Sequence, residues 1–266
     1  MNDTVLLNIS EGVAVVTLNR PERRNAMTAP MMERLGEVLQ QIRDDSSVRA
    51  VVVAGNGKSF CAGADITTLS DLTSQAGGSG HLGTVAGIEL LYAAFMAIGE
   101  LDVPTIAAIH GAAVGGGLGV ALQCDIRVIA DEAKIGANFS RLGIHSGMCI
   151  TDLLPAAVGY EAACELLFTG KLIRGTEAAA IGLCRKSVPR EQVLHAAMEI
   201  AREIATYASP LAVKAIKRTL KMRTTQWREP VLRAEAFAQA ALMGTADAQE
   251  GIRAVFTKQV PDFKGK

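Results

Sequence analysis

The segment from Val103 to Cys124 contains no Asp, Glu, Lys or Arg over 22 residues, and no other feature of the chain restricts its fold as much. A run of that length is long enough to cross a bilayer. Pro104, His110 and five glycines (Gly111, Gly115, Gly116, Gly117 and Gly119) interrupt it. Such breaks suit a buried strand, a turn and a buried helix better than one spanning helix. No membrane association is expected. With 266 residues, 49% of them hydrophobic and 20% charged, the chain can build the core that this segment requires.

The flanking sequence alternates strand and helix patterns. Val5–Ile9 and Val13–Leu18 read as strands separated by Ser10-Glu11-Gly12, and Ala50–Ala54 as a strand covered on both faces. Met32, Leu35, Leu39 and Ile42 mark one amphipathic helix, and Ile88, Leu91, Phe95 and Ile98 a second. Between them, Thr73–Gly83 is rich in Gly and Ser and reads as a mobile loop. Thr105–Ile109, a helix ending near Cys124, and Ile126–Ala130 continue the alternation, which predicts an α/β architecture with crossover connections. Towards the carboxyl end the pattern becomes helix after helix, one through Val193–Ile204, others opened by Pro210 and Pro230, and a last one from Thr245. The expected division is an α/β core over residues 1–195 and a helical segment over 196–266.

Charge and cysteine usage narrow the functions. Lys and Arg number 27 and so do Asp and Glu, which argues against a nucleic-acid-binding protein. The five cysteines form no C-x-x-C pair and the four histidines lie far apart, so neither a disulfide framework nor a metal site is suggested. Met1-Asn2-Asp3-Thr4 lacks the basic and apolar regions of a signal peptide, and a cytoplasmic protein with reduced thiols is expected. Three motifs fail on spacing. Gly57-Lys58-Ser59 has Val52 where a phosphate loop needs glycine, and Gly115/Gly117 has Val120 at the third fingerprint position. Ser146 falls one residue late for a nucleophile elbow.

Two segments that each follow a buried strand remain: Ser59-Phe60-Cys61-Ala62-Gly63-Ala64-Asp65 and His110–Leu118. Small residues let a ligand approach the backbone, and a helix opening at the glycines offers amides without internal partners. One N–H from each segment converging on a carbonyl oxygen would stabilise an oxyanion. Close strand-to-helix packing explains the same glycines without any ligand.

With Leu18-Asn19-Arg20-Pro21, Asn25-Ala26, Phe60–Asp65, Gly111–Gly117 and Cys124-Asp125, the chain resembles the enoyl-CoA hydratase/isomerase (crotonase) superfamily. Leu166–Gly170, Glu177-Ala178, Gly182-Leu183, Glu250-Gly251, Phe256, Lys258 and Phe263 extend the match. The resemblance implies a crotonase-like spiral of ββα units with a helical C-terminal trimerisation segment, giving a homotrimer or hexamer. It implies an acyl-CoA thioester as ligand, with coenzyme A belonging to the substrate and no separate cofactor or metal. The backbone N–H groups of Ala64 and Gly116 would form the oxyanion hole. Arg24–Ala26 and the segment Ala62, Asp65 and Ile66 would line the coenzyme channel, and Lys258 would approach the coenzyme, in relatives across subunits.

The chain departs from that pattern where the chemistry would lie. The resemblance places one catalytic glutamate at the position of Gly119 and the second at Phe139, and an isomerase or dehalogenase aspartate at Gly147. Positioned acid and base groups each contribute typically ~10²–10⁴-fold. His145 is a candidate replacement, because imidazole is the side chain suited to acid–base work near neutral pH. Cys149 and Asp152 are candidates on a helix starting near Gly147, where the helix dipole would depress their pKa. Capping and packing account for the same three residues. A water or small anion near Gly119 would substitute for the missing carboxylate, and Phe139 would make the pocket more apolar, suiting a hydrophobic acyl chain. The expected activity is hydration or isomerisation of an enoyl-CoA without the usual glutamate pair. The alternatives are a non-catalytic acyl-CoA binder and a structural scaffold.

Overall fold

The computed structural model describes residues 4–65 and 81–265. The chain opens on an antiparallel hairpin of β1 (Val5–Ser10) and β2 (Val13–Leu18). Glu11 and Gly12 take φ of 52° and 77°, the left-handed turn geometry that matches the twist of the flanking strands. There follow α1 (Ala29–Asp44), β3 (Ala50–Gly55), β4 (Ser59–Cys61), α2 (His81–Met96), β5 (Thr105–Ile109), β6 (Ala112–Val114) and α3 (Gly116–Gln123). β7 (Ile126–Ala130), β8 (Lys134–Gly136), a 3₁₀ turn (Asn138–Leu142), α4 (Ile150–Val158), α5 (Tyr160–Thr169) and β9 (Ile173–Arg174) come next. α6 (Gly175–Ala180), β10 (Ser187–Val188), α7 (Val193–Tyr207), α8 (Pro210–Met243) and α9 (Ala246–Thr257) complete the chain.

Two sheets share the core. The larger runs β1-β2-β3-β5-β7-β10, parallel from β2 onward, and the smaller runs β4-β6-β8-β9. Each turn of the chain lays one strand in the large sheet, then a short one in the small sheet, then a helix: β3, β4 and α2, then β5, β6 and α3. This is a spiral of ββα units. The short strands β4, β6 and β8 have three residues each, too few to leave an alternating sequence pattern. β3 and β5 are buried along almost their whole length, as their unbroken apolar sequence requires. α7 buries Val193, Ala197 and Ala201 across β3, β5 and β7, so the expected boundary between residues 195 and 196 falls inside a helix packed on the core.

Three other expectations are revised. The inward face of α1 carries Met31, fully buried, in addition to Met32, which packs partly buried against the core. His81–Gly83 already belong to α2, while the rest of the expected loop, 73–80, lies outside the described residues. Pro230 opens no new helix, because α8 runs through it. An interior proline costs a helix ~3 kcal/mol, and tertiary anchors on either side of Pro230 offset that. Arg228 bonds Glu100, Gln123 and the Met96 carbonyl, and Glu235 caps α4. A further anchor forms at the amino end of α8. Buried Lys217 meets Asp125 at 2.6 Å and the Val103 carbonyl at 2.7 Å, and Asp125 in turn accepts from the N–H and hydroxyl of Thr105. No helix among the described residues is long and apolar enough to cross a membrane.

Candidate active site

The first segment is held in place by Asn25. Its side-chain amide donates to the carbonyls of Asn56, Ser59 and Phe60 at 3.0, 2.9 and 3.1 Å, and its own carbonyl accepts from the Arg20 N–H at 2.8 Å. That clamp is built on a left-handed backbone, φ 53° at Arg24 and 55° at Asn25, which Asn tolerates better than most residues. The chain then runs beside residues 62–65. Ala62 N–H donates to Arg24 O, Met27 N–H to Gly63 O and Asp65 N–H to Met27 O, at 3.0, 2.8 and 3.2 Å. Ala64 pairs with Met27 in a parallel bridge whose two bonds leave the Ala64 N–H unused, pointing away from Met27.

The second segment closes against the first. Gly63 has φ of 91°, and a Cβ there would lie 2.9 Å from Val114 O and 3.2 Å from Gly116 N. A Cβ on Gly117 would collide with the Cys61 carbonyl. Gly115, at φ 57°, precedes α3, so Gly116 is that helix's first residue and its N–H has no intrahelical acceptor. These glycines therefore serve close packing and amide presentation together.

Ala64 and Gly116 line one cavity of about 420 Å³. Its walls are mostly apolar: Val114, Phe139, Leu142 and Ile144 from the core, with Ile252, Val255 and Phe256 from α9. Arg24, Lys134 and Asn138 bring polar groups to it, the first two from exposed positions. Tyr92, 2% exposed, is part of the same wall, and its buried hydroxyl bonds Gln239 at 3.1 Å. Burial pushes its pKa up to about 12, so it stays a phenol. Among the described residues, no group of three or more His, Cys, Asp and Glu is placed to hold a metal ion.

Arg24, Ala62, Ala64, Gly116 and Phe139 thus share the cavity. Others do not line it. The Ala26 carbonyl accepts from Arg20, and the Asp65 carboxylate pairs with the same guanidinium at 3.6 Å, so both are spent on holding the segment. Gly119 faces Met148, whose Cβ and Sδ both lie 2.8 Å from where a Gly119 Cβ would stand, leaving no room there for an added anion. His145 is half-buried with Nδ1 2.8 Å from Ser146 O, and it interacts electrostatically with Glu235 on α8. Lys258 is an exposed residue at φ 55°, ending α9 beyond the cavity wall. Ile66 lies outside the described residues.

α4 starts at Ile150, three residues later than Gly147, because Met148 and Cys149 take φ of 63° and 57°. Its cap comes from afar. Glu235, 1% exposed, accepts from Cys149 N–H, Thr151 N–H and the Thr151 hydroxyl at 2.7, 2.9 and 2.5 Å. Burial raises the Glu235 pKa despite these donors. The same burial raises Cys149 to about 12, opposite to the depression expected from the helix dipole. Cys61 is likewise raised to about 12 by burial and donates to Asn25 O, so both thiols are packing groups. Tyr92, Met148, Glu235 and Gln239 had no sequence motif. Tyr92 alone left a trace, a phenol four residues after Ile88 on an otherwise apolar helix face.

Comparison with known proteins places nearly the whole chain in one family. The family described as Enoyl-CoA hydratase/isomerase matches residues 8–266. A putative enoyl-CoA hydratase from Thermus thermophilus is 36% identical, over 97% of this chain and 100% of that protein. A short-chain-enoyl-CoA hydratase from Clostridium acetobutylicum is 34% identical over 99% of both. The crystal structure of an enoyl-CoA hydratase/isomerase from Pseudoalteromonas atlantica superposes with a TM-score of 0.84 at 27% identity, covering 98% of this chain and 100% of that one. By fold, by full-length similarity and by the two glycine-bearing segments, the chain belongs to the enoyl-CoA hydratase/isomerase family.

Proposed function

We propose that the cavity binds an acyl-CoA thioester, with the backbone N–H groups of Ala64 and Gly116 gripping the thioester oxygen and stabilising the enolate. The reaction is hydration or isomerisation of an enoyl-CoA, run without the usual glutamate pair. The observation that carries this reading is the pair of amides on one apolar cavity, one left unused by its bridge and the other first in its helix. Arg24 and Lys134 stand at exposed positions on the cavity, where coenzyme phosphates would gain from positive charge. Tyr207, Leu211, Ile216 and Leu220 present exposed apolar surface on α7 and α8, which favours self-association into a homotrimer or hexamer that would bring Lys258 towards a neighbouring coenzyme.

The test is turnover of short-, medium- and long-chain enoyl-CoAs followed by mass spectrometry, in the parent and in Gly116→Pro. Proline at the first position of a helix removes the N–H. Its ring also adds atoms, and its Cβ would stand 2.6 Å from the Met27 thioether methyl, so acyl-CoA affinity of the variant is measured beside turnover to separate a blocked cavity from a lost donor. Losing one oxyanion donor is expected to lower kcat by ~10²–10³-fold. Unchanged turnover in Gly116→Pro would remove the basis of the reading. A second reading, an acyl-CoA binder without catalysis, draws on Met148 and Tyr92. Met148 packs in front of Gly119, and the Tyr92 ring would collide with any Cβ at Gly147. Calorimetric binding of acyl-CoA with no product from any enoyl-CoA would favour it.

A further inference from the structure

The hydrogen-bond chain behind Tyr92 fixes which way its proton points. The Gln239 side-chain N–H₂ donates to the backbone carbonyl of His145 at 2.8 Å, and a carbonyl only accepts. The other end of that amide, Oε1, therefore faces Tyr92 Oη at 3.1 Å, and the phenol donates to it. Both Tyr92 and Gln239 are buried, which disfavours breaking either bond. With its proton committed, the phenol offers only its lone pairs elsewhere. Its oxygen lies 3.1 Å from the position a Cβ on Gly147 would take, and the residue is part of the cavity wall.

We propose that Tyr92 is a specificity-determining acceptor that makes the cavity favour acyl groups carrying a hydroxyl donor, such as a 3-hydroxyacyl-CoA, over the saturated or 3-oxo forms of equal length. The inference rests on acyl-CoA binding in this cavity. It adds a direction of hydrogen bonding that an apolar wall alone does not supply. The Tyr92–Gln239–His145 chain is the positioning device, and its terminal carbonyl makes the polarity one-way.

The experiment compares calorimetric affinities of 3-hydroxyacyl-, 3-oxoacyl- and saturated acyl-CoA of one chain length, in the parent, Tyr92→Phe and Gln239→Leu. In the parent the hydroxylated ligand is expected to bind tightest. Tyr92→Phe keeps the ring and should weaken that ligand ~3–10-fold, the range of one hydrogen bond, while changing the saturated ligand less than about twofold. Gln239→Leu frees the phenol to donate and should improve the 3-oxo ligand relative to the hydroxylated one. It also carries the test if Tyr92→Phe fails to fold. Equal weakening of all ligands by Tyr92→Phe, or no hydroxyl preference in a parent that does bind acyl-CoA, would overturn the acceptor role alone. A parent that binds none of the three would overturn the acyl-CoA reading with it.

Discussion

Gly119→Ala tests whether Met148 has closed the space in which the family carboxylate would stand. An added Cβ would lie 2.8 Å from both Cβ and Sδ of Met148. The thioether can rotate, but the Met148 Cβ is fixed to a backbone at φ 63° and can retreat only if the chain moves. Overpacking of this kind costs about 1–3 kcal/mol. Replacing an interior helical glycine by alanine returns about 1 kcal/mol. The net expectation is a loss of about 0–2 kcal/mol, with Tm falling by about 2–4 °C for each kcal/mol in a chain of this size. Equilibrium urea unfolding of Gly119→Ala, Met148→Gly and the double variant closes the cycle. Met148→Gly is itself destabilising through lost packing, yet in its background Gly119→Ala should cost nothing or stabilise. If Gly119→Ala changes stability by the same amount in both backgrounds, Met148 is not what excludes a side chain from position 119.

Asn25→Ala leaves the buried Ser59 and Phe60 carbonyls without their shared donor and should destabilise by about 2–5 kcal/mol; a urea-melt decrement below ~1 kcal/mol would mean that water replaces the amide. Glu235 has a pKa raised above its ordinary 4.5, so the native chain holds its proton to higher pH than the unfolded chain does. Stability from this group is full below about pH 4.5 and declines as pH rises through the raised native pKa. The Tm difference between the parent and Glu235→Gln should therefore shift against the parent across that window, and a pH-independent difference would contradict it. Cys61, Cys124 and Cys149, each raised to about 12 by burial, should resist Ellman's reagent at pH 8 in the folded chain and react once it is unfolded in urea; prompt reaction of all three in native buffer would refute their packing role.

The large sheet was readable because β3 and β5 are continuous apolar runs, and the glycine segments because small residues directly after a buried strand mark close backbone approach. What escaped depends on distant partners. Glu235 looks like one more charge on α8 until the fold sets it 2.7 Å from the Cys149 amide, 86 positions away in sequence. Pro230 carries a strong local signal that lost to tertiary anchoring at Arg228 and Glu235. His145 draws attention by its residue type alone, whereas its carbonyl bond to Gln239 and its electrostatic contact with Glu235 on α8 come from distant partners. Tyr92 shows the same limit, since a phenol on an apolar helix face gives no hint of the Gln239 amide that orients it.

The lock between Gly117 and the Cys61 carbonyl divides this molecule into a part that evolution can rewrite and a part that it cannot. The amide pair is main chain wedged against main chain, so no substitution nearby can retune it by degrees; a methyl group in the seam would pry the two strand-helix junctions apart. The side chains that can diversify the reaction stand instead on the cavity walls, as Phe139, Leu142 and Ile252 do. New chemistry in such a scaffold is gained by repainting the walls of a room whose hinge is welded.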